Sequence, residues 1–175
     1  MGQKIDYPSF LKELDNRIEG YYTSQADNVC CKKGCSACCK TGDYPLSDIE
    51  LEYLMQGFIN SDAEIKIQVQ ENIKNMKKGG KCPFLINNLC SMYPYRPIIC
   101  RTHGLAYLMK DGRANVPYCV NEGKNYSKVY SNGELLTEPI KENLSTQNLL
   151  KNAGFDYTVK NLYDWLGGKI LGCKY

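Results

Sequence analysis

The sequence predicts a small, mostly helical fold with short β-hairpins, arranged as a single domain over residues 1–175. Segments with helix-capping residues and apolar stripes lie on both sides of a cysteine-rich region, and turn-forming dipeptides separate short apolar runs. A chain of 175 residues can bury a hydrophobic core without disulfide support. We therefore expect a cysteine-rich core over about residues 31–119, with helical flanks at 6–24 and 144–171.

The first predicted helix covers residues 6–24. Asp6 suits the N-cap and Pro8 suits the first turn, where the missing N–H of proline leaves no hydrogen bond unmade. From Phe10 to Tyr22, apolar side chains recur at intervals of three and four residues, so they share one face. We expect this face to pack on the core.

Two further helices are predicted from capping boxes, in which a Ser side chain and a Glu three residues later bond each other's backbone. Ser47 and Glu50 form the first box, and its helix should run to about Phe58. Ser61 and Glu64 repeat the pattern, and the Lys-Lys-Gly-Gly run that follows should end that helix.

Three hairpins are predicted where Asn87-Asn88, Asp111-Gly112 and Asn132-Gly133 separate short apolar runs. These dipeptides tolerate the positive φ angles of tight turns. The remaining predicted helices are short: one begins at Pro97, one covers 144–154 and one covers 159–166.

Composition and charge exclude several classes of protein. The chain has no apolar N-terminal stretch of the signal-peptide type and no run long enough to span a membrane, so a cytoplasmic protein without membrane contact is expected. The net charge is +3 without a basic run, which gives no clear nucleic-acid signal. In a reducing cytoplasm, clustered cysteines more often bind metal or act in redox chemistry than form disulfides.

Five of the ten cysteines lie between residues 30 and 39, in a segment with Gly34 and Gly42 that is predicted to be a loop. Thiolates are soft ligands for zinc and iron, and metal binding keeps them deprotonated. The spacing Cys35-x-x-Cys38 is typical of both zinc and iron–sulfur sites. Adjacent Cys38 and Cys39 should point apart, so one of them is expected to serve a second site.

Eight cysteines make up the predicted ligand set, enough for two four-thiol sites or for one cluster and one ion. The second group must then approach the first in the fold. Buried thiols and disulfide pairs are the alternatives. Cys30 could replace Cys31, and Cys173 is expected to be a free thiol. The predicted ligands are Cys31, Cys35, Cys38, Cys39, Cys82, Cys90, Cys100 and Cys119.

Three side chains near the second cysteine group could support the ligands. Arg96 and Arg101 could donate hydrogen bonds to thiolates, although pairing with surface carboxylates is an equally ordinary role for them. His103 is the only histidine and lies three residues after Cys100. We expect it not to be a ligand.

The cysteines recur with a set of short motifs in a fixed order. These are Cys31, Cys35, Cys38-Cys39, Leu46-Ser47-Asp48-Ile49-Glu50, Cys82-Pro83-Phe84-Leu85, Cys90-Ser91-Met92-Tyr93, Arg96-Pro97 and Cys100-Arg101.

Together these motifs resemble the zinc- or iron-chelating CxxCxxCC family over about residues 31–119. The resemblance implies metal chelation without a defined reaction. One spacing departs from the family pattern, because three residues separate Cys31 from Cys35. A similar cysteine domain occurs in flagellin lysine N-methylase, and that resemblance implies a 4Fe-4S cluster and methyl transfer to protein lysines.

The leading hypothesis is a metal-binding protein that holds an iron–sulfur cluster or zinc, with redox or group-transfer chemistry as an open question. A structural zinc module that presents a surface to a protein partner is the alternative, and closed four-cysteine sites would favour it. A radical S-adenosylmethionine enzyme is less favoured. Cys31, Cys35 and Cys38 have that spacing, but the chain is short and capped helices follow the motif.

Overall fold

The structure is a computed structural model and describes residues 5–32 and 34–167. Within these ranges the fold is mostly α with minor β structure, which confirms the predicted fold class. No helix in the described part of the chain is long and apolar enough to cross a membrane. The expectation that Cys173 is a free thiol lies outside the described residues.

Short strands are interspersed among the helices along the described part of the chain. The helices are α1 (Tyr7–Ser24), α2 (Ala37–Lys40), α3 (Asp48–Ile59), α4 (Ala63–Lys74), α5 (Ile98–Thr102), α6 (Thr146–Asn152) and α7 (Leu162–Gly167). The strands are β1 (Pro45–Ser47), β2 (Leu85–Ile86), β3 (Leu89–Cys90), β4 (Tyr107–Leu108), β5 (Ala114–Asn115), β6 (Tyr130–Ser131), β7 (Glu134–Leu135) and β8 (Val159–Asn161). Short 3₁₀ helices cover Tyr93–Tyr95, Tyr118–Glu122 and Ser127–Val129.

The chain forms two compact units. The first unit comprises Met1–Lys32 and Cys100–Asp156, and the second comprises Lys33–Ile99 and Tyr157–Tyr175. The single domain expected from the sequence stays a prediction.

Helix α1 organises the first unit and confirms the predicted N-terminal helix. The Asp6 side chain caps it by accepting a hydrogen bond from the backbone N–H of Ser9 at 3.0 Å. The predicted apolar face is buried from Phe10 to Ile18. The Phe10 ring also packs edge-on against Phe155, with ring centroids 5.5 Å apart. The face of α1 thus forms part of the core of this unit.

Two of the predicted hairpins lie in the first unit. Strands β4 and β5 pair antiparallel around the turn that contains Gly112, which has φ +82°. Strands β6 and β7 pair around Asn132 and Gly133, which have φ +53° and +85°. Both hairpins confirm the prediction, because glycine and asparagine tolerate the left-handed backbone conformation of such turns.

In the second unit, the predicted capping box at the start of α3 is present. The Ser47 hydroxyl accepts from the Glu50 backbone N–H at 3.2 Å, and the Glu50 carboxylate accepts from the Ser47 backbone N–H at 2.6 Å. The other carboxylate oxygen accepts from the Ile98 backbone N–H at 2.8 Å. Since Glu50 is only 1% exposed, this buried carboxylate joins the start of α3 to the start of α5.

The second predicted capping box is wrong. Helix α4 begins after Asp62, and no side chain caps it. The Ser61 hydroxyl instead donates to the carbonyl of Phe58 at 2.8 Å. Ser61 therefore completes the C-terminal turn of α3, and that role leaves it unable to cap α4.

The predicted helix over 159–166 is correct only in its second half. Helix α7 begins at Leu162, whereas Val159–Asn161 forms strand β8 and pairs antiparallel with β1. The Trp165 indole N–H also donates to the Leu46 carbonyl at 2.9 Å. Pairing between segments more than 100 residues apart in sequence overrode the local helical pattern.

Candidate metal centre

The nine described cysteines are divided between the two units, and none of them takes part in a disulfide bond. The first unit contains Cys30, Cys31, Cys100 and Cys119, and the second contains Cys35, Cys38, Cys39, Cys82 and Cys90.

We use the name thiol cluster for Cys38, Cys39, Cys82 and Cys90 of the second unit. Helix α2 carries the first two, so the predicted loop contains one helical turn. The sulfurs of Cys38 and Cys39 are 4.0 Å apart. The expectation that these neighbouring side chains point apart is wrong, because consecutive residues on a helix diverge by only about 100°.

Backbone contacts bring Cys82 against helix α2. The Cys82 N–H donates to the Cys39 carbonyl at 2.8 Å. Gly42 makes this approach possible: a Cβ at that position would lie 2.6 Å from the Cys82 Cβ and 3.0 Å from the Cys39 carbonyl oxygen. A glycine is required at this point because any larger side chain would push the two segments apart.

The β2–β3 hairpin adds Cys90, as the sequence predicts. Asn87 and Asn88 form its turn with φ +49° and +60°, and Leu85 pairs with Cys90 across the strands. Cys82 and Cys90 both pack against the apolar core of the unit. The second cysteine group thus approaches the first within this unit, as the ligand hypothesis requires for these residues.

Burial dominates the electrostatics of Cys82. It raises the pKa of this thiol to about 12, and the nearby Cys90 and Cys38 add to the increase. A backbone hydrogen bond from Phe84 and the charge of Lys81 oppose it. Negative charge on these sulfurs is therefore costly in the absence of a cation. A bound metal ion would supply the compensating positive charge.

Burial also raises the pKa of Cys90, while a backbone hydrogen bond from Met92 and the charge of Arg96 lower it. The Arg96 guanidinium stacks on the Tyr93 ring, 3.9 Å from its centroid, and donates to the Tyr93 carbonyl at 3.0 Å. Arg96 thus favours the charged form of a cluster cysteine through its own charge.

The donor set of the thiol cluster fits zinc or iron, because sulfur is the preferred soft ligand of both. A zinc–sulfur bond of about 2.3 Å places the sulfurs of a tetrahedral site about 3.8 Å apart. The distance of 4.0 Å between the Cys38 and Cys39 sulfurs is close to this value. Within residues 5–32 and 34–167, however, no three His, Cys, Asp or Glu side chains already form a complete metal-binding group.

A half-open cavity of about 260 Å³ borders Cys82. The C-terminal end of α4 forms one wall, and residues 80–83 form the other. The Asn72 side chain fixes this edge by donating to the Pro83 carbonyl at 2.8 Å. Of the four cluster cysteines, Cys82 thus lies beside a cavity that is open to solvent on one side.

In the first unit, Cys119 is buried and Cys100 is exposed. Exposed Cys30 and Cys31 both contact the buried side chain of Asn125. The sequence analysis missed Asn125, since nothing near it in sequence marks it as a partner of residues 94 and 95 positions away.

Arg101 and His103 serve the interior of the first unit. Arg101 is buried and pairs with Asp15 of α1. Burial lowers the pKa of His103, and its ring packs edge-on against Tyr118 with centroids 5.5 Å apart. That His103 is not a ligand stays a prediction.

Residues 30–128 match the model of the CxxCxxCC family, which is described as a "putative zinc- or iron-chelating domain". The match covers more than half of the chain and includes all eight predicted ligands. No curated protein and no solved structure shows significant similarity to the chain.

Proposed function

Because the chain belongs to the CxxCxxCC family, we propose that it chelates one zinc or iron ion through the thiol cluster. The observation that carries this proposal is the 4.0 Å separation of the Cys38 and Cys39 sulfurs beside Cys82 and Cys90. Of the other predicted ligands, Cys35 stays a candidate for completing this site, and Cys31, Cys100 and Cys119 stay candidates for a second site.

A single ion is favoured over a 4Fe-4S cluster at the Cys38–Cys39 pair. In a cluster of this kind each cysteine binds a different iron, so the sulfurs lie farther apart than the edge of one tetrahedron. The observed separation agrees with two sulfurs on one ion.

The ligands belong to segments that the fold must hold together. Helix α2 contributes Cys38 and Cys39, and the segment around β2 and β3 contributes Cys82 and Cys90. A bound ion would supply positive charge to four buried or half-buried sulfurs and cross-link these segments. Redox, methyl-transfer and radical chemistry stay sequence predictions, as does a protein partner. We also place the protein in a reducing compartment such as the cytoplasm, where thiolates persist.

The test is metal analysis of protein purified without oxygen, combined with acid-labile sulfide analysis and an absorption spectrum. We expect about one zinc or iron ion per protein chain and no acid-labile sulfide. Cys38→Ser and Cys82→Ser should each lose that ion. Since the ion contributes its binding energy to folding, both variants should also unfold at lower temperature.

Cys173→Ser is the matched control, because this cysteine is outside the predicted ligand set; it should keep its metal. Full metal content in both Cys38→Ser and Cys82→Ser would contradict the proposal. Iron together with an equal amount of sulfide would contradict the single-ion proposal and indicate an iron–sulfur cluster.

A further inference from the structure

We propose that Asp43 is a positioning residue that holds Cys82 against helix α2, where the thiol cluster would bind its ion. This role rests on the proposed metal chelation, because it concerns how that site is assembled. Asp43 lies four residues after Cys39 and is not a member of the thiol cluster. All the residues involved belong to the second unit.

Both oxygens of the Asp43 carboxylate accept hydrogen bonds from the backbone of other segments. Oδ2 accepts from the Gly79 N–H at 3.1 Å, and Oδ1 accepts from the Tyr163 N–H at 3.0 Å. Gly79 lies three residues before Cys82, and Tyr163 lies in the first turn of α7. One side chain therefore joins the segment after α2 both to the turn that leads to Cys82 and to α7.

The contact with Gly79 has a counterpart at the other end of the same two segments. There the Cys82 N–H donates to the Cys39 carbonyl at 2.8 Å. Residues 39–43 and 79–82 thus run in opposite directions, and a hydrogen bond joins them at each end. Gly42 packs between the two bonds, since even a Cβ at this position would lie 2.6 Å from the Cys82 Cβ.

The turn before Cys82 uses Asp43 to hold it to the α2 side. The Gly80 N–H donates to the Lys77 carbonyl at 2.9 Å and closes the turn, whereas the Gly79 N–H donates to the carboxylate. On the far side of Cys82, the Asn72 side chain binds the Pro83 carbonyl. That contact ties the segment to α4, the helix that precedes it, and leaves Asp43 and Cys39 to tie it to the α2 segment.

The bond to Tyr163 anchors the carboxylate itself. Helix α7 is fixed by its buried side chains Leu162, Trp165 and Leu166. Because the first N–H groups of a helix have no partner within the helix, the Tyr163 N–H is available to Asp43. The carboxylate therefore has a firm support, and a movement of the turn away from α2 must break its bond to Gly79.

The two partners require a carboxylate at residue 43. Both partners are backbone N–H groups, which can only donate, so the side chain must accept at both of its ends. An asparagine has almost the same shape but only one acceptor oxygen, and its amide nitrogen would face the other N–H. A carboxylate also accepts more strongly than a neutral group does, because its hydrogen bonds are charge-assisted.

The first experiment measures zinc affinity by chelator competition, at a temperature where each variant is folded. Asp43→Ala removes both acceptors and leaves all four cluster cysteines in place. We expect a loss of roughly 10- to 100-fold in affinity, as for other residues that orient metal ligands. Asp43→Asn should fall between Asp43→Ala and the wild type, because one acceptor oxygen remains. Charge-transfer absorption of the Co²⁺ form should still report the wild-type number of thiolates.

Iodoacetamide labelling of metal-free protein is the second readout and needs no ion. In Asp43→Ala, release of the turn should make Cys82 react roughly fivefold faster than in the wild type at the same pH, which is the effect of losing one hydrogen bond of ordinary strength. Cys90 pairs with Leu85 across the β2–β3 hairpin, and this pairing does not involve Asp43. Its rate should stay at the wild-type value.

Asp48→Ala is the matched control in the same unit. Asp48 Oδ1 also accepts from two backbone N–H groups, those of Ile49 at 3.0 Å and Thr158 at 3.1 Å. Neither partner lies in a segment that contains a cluster cysteine. A residue that only stabilises the fold would lower the melting temperature without changing zinc affinity. Asp48→Ala should therefore keep both the affinity and the Cys82 labelling rate of the wild type.

The outcomes separate the role of Asp43 from the proposed function. Wild-type affinity in Asp43→Ala, or equal losses in Asp43→Ala and Asp48→Ala, would overturn the role of Asp43 in a chain that still binds metal. If Asp43→Ala does not fold, Asp43→Asn decides by the same comparison. Wild-type protein that binds neither zinc nor cobalt would overturn the proposed function, and the labelling rate of Cys82 would then decide whether Asp43 holds this residue in place.

Discussion

The two units hold adjacent cysteines in different ways. In the second unit, Cys38 and Cys39 lie on a helical turn, and a backbone hydrogen bond to Cys39 brings Cys82 beside them. In the first unit, Cys30 and Cys31 lie in an irregular segment, and one buried side chain, Asn125, contacts both sulfurs. The main chain thus organises one group, and a single amide organises the other.

The comparison shows that neighbouring cysteines need not be equivalent. On the turn of α2, both sulfurs face the same region and are 4.0 Å apart, so both can serve one ion. Beside Asn125, the Cys30 sulfur donates to the amide and the Cys31 sulfur accepts from it, so the two neighbours have different hydrogen-bond roles. Burial differs as well, since the cluster cysteines are half-buried and the pair is exposed.

The largest expected difference is in thiol reactivity of the metal-free protein. Alkylation requires the thiolate, and a pKa of about 12 leaves roughly 10⁻⁴ of Cys82 ionised at pH 8. An ordinary thiol with a pKa of about 8.5 would be about 0.2 ionised. We expect Cys82 to react roughly 10³-fold more slowly than a reference thiol, and exposed Cys30 to react well before it. Timed iodoacetamide labelling with peptide mapping measures both.

The pH dependence provides the control for that experiment. Because its pKa is raised, the rate for Cys82 should continue to increase about tenfold per pH unit from pH 8 to pH 10. Labelling in denaturant should remove the difference between the two cysteines. Equal rates for Cys82 and Cys30 in the folded protein would mean that burial does not protect the cluster.

The next effect is on stability, where Gly42→Ala tests the role of the main chain. The new Cβ would meet the Cys82 Cβ at 2.6 Å and its backbone nitrogen at 3.0 Å, and neither atom can move without its segment. We expect a loss of about 1–3 kcal/mol in the free energy of unfolding, measured by urea denaturation without metal.

Gly104→Ala is the counterpart in the first unit and should cost less. Its Cβ would meet the ends of side chains, the Cys31 sulfur, the Tyr22 hydroxyl and Asn125 Nδ2. The first two can rotate away, and the Asn125 amide can shift at the expense of its hydrogen bonds, whereas at Gly42 a backbone segment must move. For Gly167→Ala and Gly20→Ala, the controls in the two units, no atom of the described residues outside the glycine's own stretch of helix lies within 4 Å of the new Cβ. These controls should be neutral or slightly stabilising. A greater loss in Gly104→Ala than in Gly42→Ala would reverse the comparison.

The sequence predicts features that depend on nearby residues. The Asp6 cap, the box of Ser47 and Glu50 and the three tight turns each need only a few neighbouring side chains, and all are present. The pairing of β1 with β8 depends on residues more than 100 positions apart, which periodicity does not report. The errors at α2 and Ser61 have local causes: a helical turn replaced a loop, and a hydroxyl bonded the preceding helix.

The candidate site likewise combines features that the local sequence predicts with features that only the folded chain creates. Spacing selected the cysteines as candidate ligands, and the Asn87-Asn88 turn predicted the hairpin that contains Cys90. It did not identify Asn125, because the amide reaches Cys30 and Cys31 only after the chain has folded. Nor did it distinguish the hydrogen-bond roles of Cys30 and Cys31, since these depend on the amide rather than on position in the motif.

The smallest expected effect comes from His103, the only histidine of the chain. Burial lowers the pKa of its side chain, because the charged imidazolium is poorly solvated in the folded protein. The contribution of His103 to the free energy of unfolding is therefore fully present above the unfolded pKa of about 6.5 and is lost as the pH falls below it, since the unfolded chain binds a proton more readily.

For metal-free protein, the loss in the free energy of unfolding at pH 5.5 relative to pH 7.5 should be at most about 1.4 kcal/mol for this group. His103→Gln should remove that part of the pH dependence and keep the metal content of the wild type. An unchanged pH profile would contradict the burial argument. Loss of metal would instead make His103 a ligand.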